Sequence, residues 1–496
     1  MSEHAYSSRD ENDVLIVASG GISPTGRNPQ EAHAAAMDFR TGIRELTQDD
    51  IPNFELYAQA MGLTSEDEKA AFFRNAWGEK CGVGGVIPDE FYPEEDFYPR
   101  SFFHKGEKIV GTQVLQAYIV MDQIRSQLPQ LFSDEGRINP DLAPETMIDL
   151  ATGAGCSMEM TEREQLEFLL SPNDHRKGVN YGRKKWLLGM LGNMIPGQMA
   201  SQFGVEGAQN SSNSACSSSG LSMWNGFNAI KAGSADIAIA GGSEYPVGPV
   251  ATYVSFDHMM KKRGALTRKW REDRDATKAL VAYGAVRDGF VPGNAAGIIV
   301  MMRRKVADQL QIEPQAEVLG IAANTCQSEK YGKSMADGTI TGQAALLERL
   351  FEKIGMPPSD IRGRLVHFLH GTGTKSGAIN EVHAAAVALG DMAKDERYVG
   401  TGIKEREGHS LGTATVANVV AAMQAMQHKK VPGLPNTTEV DPAFQEVDPG
   451  IVGKEGVEVD GDALRAVADS ILCQKHADFD PEADIVIADS KGFGGT

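Results

Sequence analysis

No two cysteines in this chain have the spacing of a metal-ligand or redox pair. The five, Cys81, Cys156, Cys216, Cys326 and Cys473, are scattered and odd in number, so neither a disulfide framework nor a zinc site is suggested. Long hydrophobic runs are missing as well: no apolar stretch approaches membrane-spanning length. The opening MSEHAYSSRDENDVLIVASGG is too polar and acidic before its first short strand to be a signal peptide. A reducing cytoplasm is the expected compartment. Positive charge is scarce: 48 Lys+Arg against 67 Asp+Glu leave a formal net charge of −19. That balance argues against general nucleic-acid binding and makes any basic cluster conspicuous. The clearest is KKRGALTRKWREDR, with Lys261, Lys262, Arg263, Arg268, Lys269, Arg271 and Arg274. It reads first as a solvated face and second as a landing site for an acidic partner.

What the chain has is length, glycine and alternation. Its 496 residues can hold two domains or two halves of one, and 54 glycines suit many tight strand-to-helix turns. Strand-like runs alternate with helices, an α/β signature. In residues 1–304 the strands expected are VLIVASGG (14–21), TMIDLATGAG (146–155), a weak stretch before Cys216, DIAIAGG (236–242) and AGIIVMM (296–302). Residues 305–496 offer AEVLGIAAN (316–324), LVHFLHG (365–371), YVGTGIK (398–404) and DIVIADS (484–490), with a long helix over 411–427. The two halves repeat one order of elements, which suggests an internal duplication. The second half stops without a counterpart of AGIIVMM, so a further strand is expected beyond Thr496. An insertion, roughly 44–145, is expected to hold no strand of its own. Within it PDEFYPEEDFYPRSFFHKGE (88–107) reads as a surface arm or dimer contact, or as a cap over a site.

One cysteine stands apart in NSSNSACSSSGLSMWNGFNAIKAGSADIAIAGG. After Cys216, Leu221, Trp224, Phe227 and Ile230 recur at about one helical turn, and Lys231 and Gly233 make a last turn and stop. Cys216 therefore lies at a helix N-terminus, where unpaired N–H groups and the helix dipole favour thiolate. The same N–H groups can hold an oxyanion formed when sulfur attacks a carbonyl, and small neighbours leave room for an acyl group. Two histidines sit between strand and helix: His370, ending LVHFL and opening HGTGTKSGAINE, and His409 in KEREGHSLGTATVANVV, after Lys404. His367, on the strand, reads as a packing residue. GTGTKS is no phosphate loop, because Thr374 stands where that motif needs glycine. GAGCSM and GFGGT lack dinucleotide-binding spacing.

The ordered set SACSSSG, RDGFVPGNAAG, HGTGTKSGAINE, KEREGHSLGTAT and SKGFGGT resembles the decarboxylating β-ketoacyl-acyl-carrier-protein synthases, the Cys-His-His class of the thiolase superfamily. The resemblance implies a thiolase-like fold, a duplicated five-layer α-β-α-β-α, and a homodimer. It makes Cys216 the nucleophile that takes the primer acyl chain. His370 and His409 become the pair that assists malonyl decarboxylation, with Lys404 supporting them and Glu381 the charge partner of Lys404. Thr372 and Thr374 match threonines that hold the phosphopantetheine arm. Phe493 and Gly494 match the gate, whose aromatic N–H completes an oxyanion hole with that of Cys216. No metal or other cofactor is implied. The partners are acyl carrier protein, malonyl-ACP and an acyl-CoA or acyl-ACP primer, with neither nucleic acid nor membrane.

Three positions depart from the pattern: Ala378 stands for Asp, Asn294 for Glu, and Thr415 for Gly. The long early segment, GHSLGTAT and DSKGFGG resemble a longer subgroup that starts fatty-acid synthesis from a short acyl-CoA. The competing readings are a non-catalytic or chain-length-setting partner subunit, and a degradative thiolase, whose second-cysteine motif has no match here.

Overall fold

The structure is a computed structural model that describes residues 10–78, 81–104, 107–142, 145–153, 158–170, 191–248, 266–268, 270, 275–325, 327–328, 332–333, 338–447 and 456–491. Its first sheet is built from β1 (Val14–Ile22), β2 (Thr146–Ala151), β3 (Gln209–Asn210), β4 (Ile237–Glu244), β5 (Ala295–Arg303) and β6 (Ala316–Glu317). They lie in the order β6-β1-β5-β4-β2-β3. β2 is parallel to β3 and β4, whereas β5 is antiparallel to both β4 and β1. β1, β2 and β4 are buried at every position, which is why they read as continuous small and apolar runs rather than as alternating ones. A second sheet holds β7 (Leu365–Phe368), β8 (Tyr398–Thr401) and β9 (Ile485–Ala488), all parallel, in the order β8-β7-β9.

Helices layer these sheets, among them α1 (Thr112–Gln127), α2 (Met194–Phe203), α3 (Ser218–Ala232), α4 (Ile340–Ile354), α5 (Lys375–Lys394), α6 (Ala414–His428) and α7 (Gly461–Asp469). α1 and α2 cover one face of the first sheet, where Val114, Val120 and Met121 pack with Leu15, Ile22 and Ile298. α3 and α6 lie against its other face, Met223, Phe227 and Ile230 meeting Val416, Val420 and Met423. α6 also touches the second sheet, because Ala422 and Ala425 pack with Val366, Phe368 and Val399. Leu365, Leu389 and Leu464 close the outer core with α5 and α7. Leu365 faces outward while Val366 and Phe368 face α6 and its core, so β7 is sandwiched. The result is the expected five-layer α-β-α-β-α.

Several expectations need correction. AEVLGIAAN is a strand only over Ala316–Glu317, and it extends the first sheet beside β1 instead of opening the second. The early segment does hold short strands, Ile43–Glu45 paired with Val83–Gly85 and Phe103–His104 with Glu107–Lys108. Its aromatics pack onto the fold: Tyr98 and Phe102 are buried, and Phe97 and Phe102 each meet Tyr118 of α1 at 5.6 Å. The helix expected from 411 begins with a 3-10 turn, Leu411–Thr413, before α6. α3 ends as expected, with Gly233 at φ 78° donating its N–H to the last turn. Its buried face is different, however: Ser218, Ser222 and Gly226 turn inward while Leu221 and Trp224 are only half-buried. A Cβ on Gly226 would stand 2.8 Å from both Ala238 Cβ and Met301 Cε, so the helix lies too close to the sheet for a bulky stripe. Of the basic cluster, 261–265, 269 and 271–274 lie outside the described residues. Among the described residues no helix is long and apolar enough to cross a membrane.

Candidate active site

The loop from β3 to α3 carries Cys216, which directly precedes Ser217, the N-cap of α3. Ala215 holds φ at 48°, a conformation an L-residue adopts at some cost, and this turn sets the thiol at the helix mouth. Asp149, fully buried on β2, anchors the loop. It accepts hydrogen bonds from Ser212 N–H (2.9 Å), Ser212 Oγ (2.7 Å), Asn210 Nδ2 (3.0 Å) and Asn225 Nδ2 of α3 (2.9 Å).

The two histidines come from the other sheet. His370 follows β7, and Glu381 of α5 accepts the N–H groups of His370 (2.6 Å) and Gly371 (3.0 Å), pinning the turn. His409 follows the short helix Lys404–Glu407. Gly408, at φ 77°, permits the reversal before it; a Cβ there would meet Pro292 O at 2.9 Å. His409 N–H then donates to Val291 O at 2.6 Å. Glu244, buried at the end of β4, accepts from Gly412 N–H (2.9 Å) and Gly153 N–H (2.6 Å), tying the loop after His409 to the first sheet.

These turns bring Cys216, His370 and His409 together. His409 Nε2 lies 3.0 Å from Cys216 Sγ, and the two imidazoles stand perpendicular with centroids 5.2 Å apart. Ligand atoms of all three lie within 4.8 Å of one another, the only such group of His, Cys, Asp or Glu among the described residues close enough to hold a metal ion. Lys404 Nζ sits 3.4 Å from His370 Nδ1. Ser490 Oγ donates to Cys216 O at 2.7 Å and lies 3.2 Å from His370 Nδ1. An ammonium can only donate, so His370 Nδ1 accepts and the ring proton resides on Nε2. Burial, with Lys404 and His409 beside it, pushes His370 well below the usual imidazole range; burial and Lys404 do the same to His409. Both rings are neutral at pH 7. Burial also lowers Lys404 to about 8, against the opposing pull of Glu381.

Glu381, expected as the charge partner of Lys404, pulls on it through its charge but makes its direct ion pair with Lys491, at 2.5 Å. Lys491 also meets Asp489 at 3.3 Å, and Tyr283 Oη donates to Glu381 at 2.7 Å. Burial pulls Lys491 down, yet Asp489 and Glu381 outweigh it and hold its ammonium above its usual value. His367 is more than packing: its Nδ1 meets Tyr398 Oη at 3.0 Å and its Nε2 lies 3.4 Å from Asp489. Lys491, Asp489 and Ser490 were within quoted motifs, but nothing local signals that they converge on Glu381 and His370. Thr372 and Thr374, their hydroxyls 3.2 Å apart, line the same cleft of about 450 Å³ (open mouth included) as Cys216, both histidines and Lys491. Phe493 and Gly494 lie outside the described residues. Of the departures, Ala378 packs into the core, Asn294 accepts Val247 N–H at 3.2 Å, and Thr415 Oγ1 faces Gly220, where a Cβ would stand 3.0 Å away.

Residues 11–307 match the N-terminal domain of the beta-ketoacyl synthases and residues 315–438 their C-terminal domain. The chain belongs to the beta-ketoacyl synthase family. Among synthases of this family, the 3-oxoacyl-[acyl-carrier-protein] synthase 2 of Synechocystis sp. is 23% identical over 435 residues, 87% of this chain and 90% of the relative. The protein of the same name from Staphylococcus aureus is 26% identical over 55% of this chain and 61% of its own length. The hybrid PKS-NRPS synthetase pvhA of Talaromyces variabilis is 26% identical over 68% of this chain, which spans only 8% of that synthetase. In fold, a type II polyketide ketosynthase solved in complex with its acyl-carrier protein superposes with a TM-score of 0.71 at 17% identity, covering 97% of each chain. The ishigamide ketosynthase/chain length factor gives 0.68 at 18% identity, covering 97% of this chain and 96% of the other.

Proposed function

We propose that this beta-ketoacyl synthase joins a Cys216-bound acyl primer to a malonyl unit on acyl carrier protein, releasing carbon dioxide and a 3-ketoacyl thioester. The observation that carries the reading is the 3.0 Å contact of His409 Nε2 with Cys216 Sγ beside a His370 whose Nδ1 is held by Lys404. His409 Nδ1 is buried without a partner, so no neighbour fixes its tautomer. With the proton on Nδ1, Nε2 takes the thiol proton. The thiolate attacks the primer thioester carbonyl, the bond to the carrier sulfur breaks, and the proton passes to the departing thiolate. A malonyl thioester then loses its carboxylate as carbon dioxide, and the electron pair of that bond moves into an enolate. His370 Nε2–H donates to the enolate oxygen, and His409 joins it once its own proton is on Nε2. The enolate carbon attacks the acyl carbonyl on Cys216, a C–C bond forms, and sulfur leaves as thiolate. One proton is consumed overall, and neutral imidazoles suffice because the charge is met by N–H donors rather than by a strong base.

A non-catalytic partner subunit would need neither a nucleophile nor an imidazole on it. We further propose a homodimer, since β3 stands exposed at the edge of the first sheet, where a second copy could pair. The described cysteines Cys81, Cys216 and Cys473 are thiols, in keeping with a cytoplasmic location. The test is purified protein with malonyl-carrier protein and a panel of acyl-CoA and acyl-carrier primers, read by mass spectrometry. A 3-ketoacyl product with one carbon dioxide released per condensation is expected; no product from any primer, with Cys216 still alkylated by iodoacetamide, contradicts the reading.

A further inference from the structure

Gln343, which lines the cleft above Cys216, carries a buried acceptor that the protein leaves unused. Gln343, in the first turn of α4, is 5% exposed, and its Oε1 has no hydrogen-bond partner. Such orphans are rare in native interiors. The amide is not free to turn away: its Nε2 donates to Gly338 O at 2.9 Å, a carbonyl that also accepts Asn380 Nδ2 of α5 at 2.7 Å. Exchanging oxygen and nitrogen would set two acceptors face to face, so the orientation is fixed. The start of α4 does not need this oxygen either, because Thr339 Oγ1 already caps Gly342 N–H at 3.0 Å. Gln343 lines the cleft together with Cys216, Thr372 and Thr374.

We infer that Gln343 Oε1 receives a secondary-amide N–H of the pantetheine arm that delivers the substrate. The inference rests on the proposed condensation for the presence of that arm. An amide oxygen only accepts, so its partner must bring a hydrogen. A thioester offers acceptors alone and a plain acyl chain offers nothing, whereas the pantetheine arm carries two secondary amides. Gln343 is thereby a specificity-determining residue: an arm lacking the N–H leaves it buried and unpaired, which is heavily penalised.

The test compares malonyl-N-acetylcysteamine with its oxoester analogue, in which oxygen replaces the amide N–H, as substrates for decarboxylation by the full chain. The wild type should prefer the amide in kcat/KM by roughly tenfold. Gln343→Met, which keeps length and loses the acceptor, should bring that ratio close to one while Cys216 is alkylated by iodoacetamide at the wild-type rate. An unchanged ratio in Gln343→Met overturns the inference, as does equal use of both analogues by the wild type, a result that needs no folded variant. A preference for 3-hydroxyacyl over plain acyl primers that vanishes in Gln343→Met assigns the acceptor to the acyl chain and also overturns it. If the wild type decarboxylates neither analogue, malonyl-carrier protein is the control, and no carbon dioxide from it either means that the condensation reading is what fails. Binding of S-methyl-pantetheine by saturation-transfer NMR then decides: weaker binding to Gln343→Met supports the inference, and equal binding refutes it.

Discussion

Lys404 makes its direct contact with the chemistry at His370, and it donates there as long as it carries its proton. Burial brings its ammonium down to about 8 from an ordinary 10.5, so it is charged at neutral pH and neutral well before a free lysine would be. The charged form forces the Nε2–H tautomer of His370; the neutral form can itself accept and releases that constraint. Decarboxylation should therefore be flat below about pH 8 and fall as pH rises through it. Lys404→Arg should move the falling limb upward, and Lys404→Met should remove the limb and lower the plateau, all read as carbon dioxide release against pH. A wild-type profile that stays flat through the titration of Lys404 would take Lys404 out of this role. Cys216, His370 and His409 were legible in the sequence because each stands between a strand and a long helix beside small or glycine residues. Lys491 was not, because its importance comes from meeting Glu381 and Asp489 in space.

At the scale of elements, the placement of Cys216 depends on how β2 holds the loop before α3. Asp149 is itself buried and takes side-chain or backbone donors from Asn210, Ser212 and Asn225, the Ser212 bonds being the fully buried ones. Asp149→Ala leaves those donors unpaired and should cost on the order of 3 kcal/mol. It should lower the melting temperature and slow alkylation of Cys216 severalfold, while Asp149→Asn, which keeps one acceptor, should fall between. An Asp149→Ala protein with wild-type melting and alkylation would show that the loop is held by other means. The strands themselves were mostly visible as apolar runs between glycines. β6 was misplaced because pairing with β1 is non-local and leaves no trace in the run itself. The inward face of α3 was misread for a related reason: periodicity counts large apolar residues, and this helix approaches its sheet through serine and glycine.

The whole molecule places its chemistry where two sheets meet across α3 and α6. The first sheet supplies Cys216 through β2, β3 and α3, and the second supplies His370 from the end of β7 and His409 from the turn after the short helix Lys404–Glu407 that follows β8. The alternation of strands and helices made the α/β class readable from the residues alone. The five-layer order came from the resemblance, since no local pattern says which helices will be trapped between sheets. The segment before β2 was the least legible part, because its aromatics find their partners on α1 rather than in their own neighbourhood.

The central claim is that Cys216 carries the primer while the two histidines drive decarboxylation, and one variant separates these tasks. Purified Cys216→Ala, supplied with malonyl-carrier protein and an acyl-CoA primer, is followed for carbon dioxide and for ketoacyl product together. The account predicts continued release of carbon dioxide, with no acyl adduct on the protein and no 3-ketoacyl thioester. Condensation by Cys216→Ala at near the wild-type rate would contradict it.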